Sequence, residues 1–317
     1  MRRWASSSAS MLMPGDAGVS ERVMGETLPA LAGSAVGGNA QNSHRGTRIC
    51  SPAGGGYAEV MTTAQVRERL ASGKTALGTF ILEFATPGIG AICARAGADW
   101  VLYDLEHTGW SLDAIRPALA VSRREDIASF VRVAGHSQHL VSTALDAGAE
   151  GIMMPYVDSA AQAAEIVQWM QFPPAGRRGS AFGIAHDLYS PGAPADKQAA
   201  ANESVMFLPQ IETPAAVAAA EEIGAVEGVD VLFIGPLDLS TNLGKPGDFT
   251  NPEFLSALDT VAAAAEATGT AAGIFSTSVQ LSAAALERGY SVISLAGDIF
   301  TYQAALAAGL TAIRERD

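Results

Sequence analysis

The sequence predicts an α/β protein that folds as a (β/α)8 barrel, and three observations favour this architecture. From residue 61 onward, short apolar runs alternate with amphipathic segments at a spacing of roughly 25–30 residues, the length of a βα unit. Eight such runs occur, and eight strands close a barrel. The runs are continuously apolar, as expected for parallel strands buried on both faces. An open doubly wound sheet is the competing fold, but no G-x-G-x-x-G follows the first run.

The strand predictions follow the apolar runs in chain order. They cover Leu77–Leu82, Trp100–Asp104, Ala128–Val133, Gly151–Pro155, Val205–Ile211, Val231–Ile234, Ala271–Phe275 and Ser291–Leu295. A connection of ~30 residues precedes the fifth strand. Because ordinary βα loops are much shorter, we interpret it as an active-site or oligomer-contact loop.

The helix predictions depend on apolar side chains that recur at helical spacing between the strands. A lead-in helix, Thr63–Ser72, precedes the first strand. The other predicted helices are Pro87–Ala96, Leu112–Ser122, His139–Ala147, Ala160–Met170, Thr213–Ile223, Pro252–Ala267, Val279–Arg288 and Ile299–Leu310. Glycines in AGADW, AGAEG and RGYSV commonly end a helix, and they precede the second, fourth and eighth strands.

Composition and charge exclude several classes of protein. The chain has 317 residues, of which 48% are hydrophobic, enough for one large domain. Its net charge of −13 argues against a nucleic-acid partner, whose binding surface would be basic. No apolar run approaches the ~20 residues of a membrane span. Two cysteines, Cys50 and Cys93, are too few for a disulfide framework and indicate the reducing cytoplasm.

Residues 1–60 differ from the rest of the chain, since Ser, Gly and Ala dominate and no period is sustained. We interpret them as a disordered extension, or as the result of an early start codon, with Met61 opening the functional protein. A transit peptide is the alternative, but Asp16, Glu21 and Glu26 spoil the acid-poor pattern it requires. We therefore expect residues 61–317 to form a single catalytic barrel.

Polar residues gather at the carboxyl ends of the predicted strands, where barrel enzymes place their active sites. The residues are Asp104, Glu106, His107, Arg132, Glu212 and Asp238. Two carboxylates at one mouth, Glu212 and Asp238, suggest a hard divalent cation whose remaining ligands are water and substrate. Each acid alone could instead cap a helix, but capping does not predict both beside a His–Asp pair.

The remaining polar residues suggest acid–base chemistry. Asp104 precedes His107 by three residues, and a carboxylate can orient an imidazole and raise its basicity. Arg132 lies in an apolar strand, where it either pairs with a neighbouring acid or neutralises a substrate carboxylate or enolate. His136 and His139 are expected to be solvated. The three lysines of the chain lie away from strand ends, which disfavours a Schiff-base mechanism.

Six motifs in order resemble one family. They are LYDLEHTG (Leu102–Gly109), FVRV around Arg132, GIMMPYV (Gly151–Val157), PPAGRRG (Pro173–Gly179), LPQIET (Leu208–Thr213) and IGPLDLS (Ile234–Ser240). Together they resemble the metal-dependent (class II) pyruvate aldolases of the 4-hydroxy-2-oxoheptanedioate aldolase type and their 2-keto-3-deoxy sugar acid aldolase relatives. The resemblance runs from Gln65 to Leu310.

The resemblance implies a barrel of the phosphoenolpyruvate/pyruvate type and a lyase that cleaves or forms 4-hydroxy-2-oxo acids. The products would be pyruvate, or a related 2-oxo acid, and an aldehyde, formed through an enolate that Mg²⁺, Mn²⁺ or Co²⁺ stabilises. A homohexamer, a trimer of dimers with the last helix exchanged, is also implied. The resemblance also implies a role for each residue of the site. Glu212 and Asp238 would bind the metal, His107 would be the base oriented by Asp104, and Arg132 would stabilise the enolate. Gln210 and Glu106 would support the site, and the backbone of Gly235, Pro236 and Leu237 would receive the pyruvate carboxylate.

Strand 1 departs from the family pattern. Its GTFILEF sequence is expected to direct Phe80, Glu83 and Phe84 to the mouth, where they would alter the aldehyde pocket.

Two other functions compete with an aldolase. An acyl-CoA lyase of the same superfamily would need a basic groove, for which Arg177 and Arg178 are the local candidates. A non-catalytic binding barrel is opposed by the intact set of polar residues.

Overall fold

The computed structural model describes residues 63–316. They form a closed barrel of eight parallel strands in which each strand pairs with the next along the chain and β8 pairs with β1. The predicted barrel is therefore confirmed. The predicted disordered extension, residues 1–60, and the predicted start at Met61 lie outside the described residues.

All eight predicted strands are present, with small shifts at their ends. The strands are β1 Ala76–Ile81, β2 Trp100–Asp104, β3 Ala128–Arg132, β4 Gly151–Met154, β5 Met206–Ile211, β6 Val231–Ile234, β7 Ala271–Ser276 and β8 Val292–Gly297. The helices are α1 Thr63–Ala71, α2 Ile89–Arg95, α3 Leu112–Ser122, α4 Gln138–Asp146, α5 Ala160–Met170, α6 Pro194–Ser204, α7 Pro214–Ala218, α8 Ala220–Gly224, α9 Pro236–Asn242, α10 Pro252–Thr268, α11 Val279–Leu286 and α12 Asp298–Arg314.

The helix predictions need three corrections. The helix predicted over residues 213–223 is two short helices, α7 and α8, because the backbone of Ala219 leaves the helical region between them. Helix α9 follows β6 directly and was not predicted. Its first residue is Pro236, whose fixed φ suits the first turn and whose missing N–H is not needed there. The long connection before β5 is not a simple loop, since it contains α6.

The barrel interior is a packed core rather than a channel. Every second residue of a strand points inward, and large side chains such as Trp100, Phe130 and Phe233 are fully buried there. Small residues stand opposite the large ones. A Cβ at Gly78 would lie 2.1 Å from Cδ2 of Trp100, so this position must be glycine for the indole to fit. A second apolar cluster lies between the strands and the surrounding helices.

The two-residue period of the interior leads directly to the polar residues at the carboxyl ends of the strands. Four strands end their inward-facing series with a functional candidate: Trp100 and Leu102 are followed by Asp104, Phe130 by Arg132, Leu208 by Gln210 and Glu212, and Phe233 by Gly235. The apolar layers below therefore form the floor on which the polar residues stand.

The opposite end of the barrel is closed by α1. Arg67 on this helix donates from Nη2 to Oδ1 of Asp230 (2.9 Å) and to the carbonyl of Val205 (2.7 Å). Asp230 is largely buried before β6, and burial raises the pKa of its carboxyl while Arg67 opposes that rise. The guanidinium thus joins α1 to the starts of β5 and β6.

Helix α12 starts at the barrel and then leaves it. Its first residue, Asp298, accepts hydrogen bonds from the backbone N–H groups of Leu82 (2.9 Å), Glu83 (3.0 Å) and Phe84 (2.7 Å). None of its 17 residues is buried. The outward side chains of Leu77 on β1 and Leu295 on β8 are 46% and 49% exposed. The outer face of β8 and β1 therefore lacks the covering that the other strands have. Within residues 63–316, no helix is both long enough and apolar enough to cross a membrane.

Candidate active site

A cavity of about 220 Å³ opens at the carboxyl ends of the strands. It brings together nine of the residues that the sequence predicted for the mouth, whereas Asp104, Glu106, Glu83 and Phe84 do not line it. The nine are Phe80, His107, Arg132, Gln210, Glu212, Gly235, Pro236, Leu237 and Asp238. Leu82, Phe275 and Phe300 complete the lining and were not predicted. The inward period of β7 could have identified Phe275, which follows the inward-facing Gly273 by two residues.

Arg132 is held by a two-pronged ion pair below the cavity. Its Nε donates to Oδ1 of Asp104 (2.8 Å) and its Nη2 donates to Oδ2 (2.7 Å), and both residues are buried. Nη1 lies 3.2 Å from Oε2 of Glu106. Burial alone would lower the pKa of the guanidinium, but Asp104 and Glu106 raise it above its ordinary value. Arg132 is therefore a fixed, permanently charged cation at the cavity wall.

Asp104 and His107 are not brought together. Asp104 is the last inward-facing residue of β2, and both of its carboxylate oxygens pair with Arg132. His107 lies in the following loop, and its side chain is 60% exposed. The imidazole Nε2 instead lies 3.6 Å from Oε2 of Glu106. The predicted orientation of His107 by Asp104 is thus corrected. Asp104 positions Arg132, and Glu106 stands between the arginine and the histidine.

Glu212 and Asp238 are linked through one residue, Tyr156. The Tyr156 backbone N–H donates to Oε2 of Glu212 (3.1 Å), and its phenolic hydroxyl donates to Oδ1 of Asp238 (3.1 Å). Gln210 donates from Nε2 to the other oxygen of Glu212 (2.9 Å). Tyr156 has a left-handed backbone (φ 51°), which is strained for a non-glycine residue and is often found at functional sites. Tyr156 was not predicted as a site residue, although it lies in the GIMMPYV motif.

The carboxyl group of Glu212 is the most strongly perturbed acid of the cavity. Burial raises its pKa to about 8, the Tyr156 N–H opposes the rise, and the nearby charge of Asp238 adds to it. An ionised Glu212 therefore needs a positive partner that the neighbouring side chains do not fully supply. A divalent cation between Glu212 and Asp238 would fill that need, and carboxylate oxygens are ligands that such hard cations prefer.

Gly235 supports the same interpretation. A Cβ at this position would lie 2.0 Å from Oε1 of Glu212, so only glycine leaves room for the carboxylate. No group of three or more His, Cys, Asp or Glu side chains suited to a metal occurs in residues 63–316. A cation here would thus have two protein carboxylates, and oxygens of water or substrate would complete its coordination.

Several residues that were expected at the mouth lie elsewhere. Glu83 is exposed outside the cavity, and Phe84 packs edge-on against Tyr302 with ring centroids 5.5 Å apart. Arg177 pairs with Glu165 on the surface (2.8 Å). Arg178 is buried, pairs with Asp146 (2.7 Å) and lies 4.6 Å from the ring centroid of Phe172. Neither of these candidates for a basic groove lines the cavity, which removes the support for an acyl-CoA lyase.

The fold and the site define a class of protein, an α/β-barrel enzyme with an arginine and two acids at the carboxyl end of the barrel. The sequence profile of the HpcH/HpaI aldolase/citrate lyase family matches residues 78–305. The chain belongs to this family, and the prediction of an aldolase is confirmed.

Three relatives illustrate the relationship. A 4-hydroxy-2-oxovalerate aldolase from Novosphingobium aromaticivorans is 39% identical over 248 residues, covering 78% of this chain and 93% of the relative. A hydroxypyruvate/pyruvate aldolase from Roseovarius nubinhibens is 37% identical over 212 residues, covering 67% and 82% of the two chains. The crystal structure of an HpcH/HpaI aldolase from Desulfitobacterium hafniense superposes with a TM-score of 0.74 at 32% identity, covering 79% of this chain and 96% of the other.

Proposed function

We propose that this protein is a class II, divalent-metal-dependent aldolase that cleaves or forms 4-hydroxy-2-oxo acids. The products of cleavage are pyruvate, or a related 2-oxo acid, and an aldehyde. The observation that carries the proposal is the buried Glu212 carboxyl facing Asp238 in a cavity that also contains Arg132 and His107. The names of the relatives, which are aldolases of pyruvate, hydroxypyruvate and 4-hydroxy-2-oxovalerate, support the 2-oxo acid donor.

Glu212 and Asp238 would hold Mg²⁺, Mn²⁺ or Co²⁺, which when bound acts as a Lewis acid toward the 2-oxo acid. Gln210 and Tyr156 orient the Glu212 carboxylate by donating one hydrogen bond to each of its oxygens. The Gly235–Leu237 backbone at the start of α9 contributes a helix N-terminus on the same side, where a substrate carboxylate is stabilised.

Arg132 and His107 carry the proton and charge chemistry. In cleavage, the imidazole of His107 removes the proton of the 4-hydroxyl group, the C3–C4 bond breaks, and the aldehyde leaves. The electron pair of that bond becomes an enolate, whose negative charge Arg132 stabilises because Asp104 fixes the guanidinium in place. The enolate then takes a proton at C3 and becomes the 2-oxo acid.

Exchange of the pyruvate methyl protons in deuterated water tests the donor half of this mechanism without any aldehyde. We expect exchange with added Mn²⁺ and its loss on chelation, and we expect at least a ~100-fold loss in His107→Ala and Glu212→Gln. His139→Ala is the matched control, because His139 lies on the exposed surface of α4 and should exchange at the wild-type rate. Exchange that survives chelation would contradict the proposal.

Borohydride distinguishes the Schiff-base class. No lysine of residues 63–316 lines the cavity, and Lys197 pairs with Asp187 elsewhere. Treatment with borohydride and pyruvate should therefore leave activity intact. A lysine adduct of pyruvate would assign the protein to the other class of aldolases.

We further propose a cytoplasmic homohexamer, a trimer of dimers in which copies exchange α12. Two uncovered surfaces support the exchange: the exposed apolar side chains of α12 beyond the cavity, such as Leu306, Leu310 and Ile313, and the outer face of β8 and β1 at Leu77 and Leu295. A helix from a second copy would cover the strands that this chain leaves open. The few cysteines are consistent with a reducing compartment.

A further inference from the structure

The lining of the cavity is divided into two arcs. The polar arc comes from β2, β3, β5 and β6 and carries the groups that hold the 2-oxo acid. The apolar arc comes from the adjacent strands β7, β8 and β1, which pair with one another around the barrel. It consists of Phe275 on β7, Phe300 just after β8, and Phe80 and Leu82 on and after β1.

The apolar arc forms one wall of the cavity, and contacts with neighbouring residues hold Phe80, Phe275 and Leu82 in it. The Phe80 ring meets that of Phe275 edge-on, with centroids 4.9 Å apart, and the guanidinium carbon of Arg132 lies 5.3 Å from the Phe80 centroid. Leu82 is fixed from behind. Its backbone N–H is bound by Asp298, and a Cβ at Gly297 would lie 2.6 Å from its Cδ1. These contacts hold apolar surface toward the cavity instead of letting it collapse.

The charges around the cavity oppose an acidic tail on the aldehyde. Arg132 is the only arginine or lysine of residues 63–316 that lines it, and Asp104 and Glu106 already pair with this guanidinium. Glu212 and Asp238 present negative charge on the other side. Among residues 63–316, a second carboxylate on the substrate would find no unpaired arginine or lysine in the lining. A hydroxylated tail would lose its water against Leu82 and Phe275 without new hydrogen bonds.

We propose that the acceptor is a short aldehyde with an uncharged, apolar chain, whose chain packs against Phe80, Leu82, Phe275 and Phe300. This assignment rests on the proposed aldolase function. The cavity of about 220 Å³ lies below the ~300–1,000 Å³ of sites for drug-sized ligands, so a chain of few carbons fits.

Two matched pairs of aldehydes test the assignment in aldol addition to pyruvate with Mn²⁺. Propanal and glyceraldehyde share three carbons, and butanal and succinic semialdehyde share four. We expect kcat/KM for the apolar member to exceed that of its polar partner by at least ~10-fold in each pair. Equal values, or a preference for the polar member of either pair, would overturn the assignment.

Leu82→Lys places a cation in the apolar arc. The ratio of kcat/KM for succinic semialdehyde to that for butanal should rise at least ~10-fold in this variant, and Leu82→Gln should raise the ratio for glyceraldehyde to propanal. Leu188→Lys is the control, since Leu188 lies in the connection before α6, outside the cavity, and should leave both ratios unchanged. Because each ratio is measured within one protein, a general loss of activity or folded protein cancels. Unchanged ratios in both Leu82 variants would overturn the assignment of the wall.

Pyruvate proton exchange separates the two hypotheses. Its absence in the wild-type protein would reject the aldolase function itself. Its presence, together with no preference between the paired aldehydes, would reject only the apolar acceptor.

Discussion

Gly235 and Glu212 compete for the same space at the mouth of the barrel. The backbone of Gly235 (φ −91°, ψ 96°) is accessible to any residue, so the requirement for glycine is steric and not conformational. This makes Gly235 a probe of the Glu212 position that leaves every polar group of the site unchanged.

Gly235→Ala is expected to displace the Glu212 carboxylate and to weaken Mn²⁺ binding by at least ~10-fold. Titration followed by Mn²⁺ electron paramagnetic resonance measures this without reference to activity. The matched control is Gly179→Ala, because an added Cβ there meets nothing within 4 Å. Wild-type affinity in Gly235→Ala would show that Glu212 does not bind the metal.

The raised pKa of Glu212 predicts how the stability of the metal-free protein depends on pH. The folded chain holds a proton up to about pH 8, whereas the unfolded chain releases it near the ordinary value of 4.5. The free energy of unfolding therefore falls as the pH rises from about 4.5 to about 8, because the folded chain must keep the Glu212 proton that the unfolded chain releases. Above about pH 8 the contribution of Glu212 no longer changes with pH. With chelator present, the Tm of Glu212→Gln minus that of the wild type should grow between about pH 5 and pH 9.

Glu222→Gln is the control for this titration, because Glu222 is exposed on α8. Its Tm difference from the wild type should stay flat over the same pH interval. The same linkage predicts that Mn²⁺ affinity of the wild type rises with pH until about 8, since binding must displace the Glu212 proton. Affinity that is independent of pH below 8 would contradict the raised pKa.

Among the elements of residues 63–316, α12 carries the most exposed large hydrophobic side chains. Leu306 and Leu310 lie one helical turn apart on the same face, and both are exposed in the single chain. Leu306→Glu should therefore shift the protein to smaller assemblies, because a buried unpaired carboxylate in the exchanged position is unfavourable. Light scattering coupled to size-exclusion chromatography measures the mass. Thr301→Glu, on the opposite side of α12, should keep the wild-type mass.

Helix α1 is joined to the barrel through Arg67. Arg67→Ala leaves the largely buried Asp230 without its cation, which for a partly exposed pair should cost roughly 2–3 kcal/mol of unfolding free energy. Denaturant unfolding measures the loss. Adding Asp230→Asn to this variant should recover part of the loss, because the orphaned charge is removed. Proton exchange per folded molecule should be unaffected in both, since the pair lies at the end opposite the cavity.

At the scale of the whole molecule, the strands were predictable because a parallel barrel buries both faces of each strand. Continuous apolar runs such as that of Trp100–Asp104 indicate buried parallel strands, and the occurrence of eight runs favours the barrel over an open doubly wound sheet. The inward period of two then places Arg132 and Glu212 at one mouth. The position of a residue along its strand is thus sufficient to predict most of the residues that lie at the mouth.

The parts that could not be predicted depend on contacts between distant residues. The choice of Arg132 over His107 as the partner of Asp104 follows from the inward direction of both strand ends, which sequence spacing within one loop does not report. Tyr156 reaches the site because its backbone is left-handed, a conformation that is rare for tyrosine and that the local sequence does not predict. Arg178 finds its partners, Asp146 and Phe172, on other elements far from the mouth.

Residues 1–60 remain a prediction at this scale. We expect a chain that starts at Met61 to fold and to exchange pyruvate protons at the full-length rate, because α1 begins at Thr63 and the family match begins at residue 78. Circular dichroism and the exchange assay test this. Loss of folding in the shortened chain would show that the first 60 residues belong to the domain.

The separation of the cavity into two arcs has a consequence for how such a protein can change. Phe275 lies on β7, Leu82 directly after β1 and Phe300 in the first turn of α12, and none of these three side chains belongs to the groups that we propose hold the 2-oxo acid. Their variation can therefore diversify the accepted aldehyde while the carbanion chemistry is inherited intact. A directed-evolution library confined to these three positions would sample new carbon–carbon bonds on an unaltered catalytic centre.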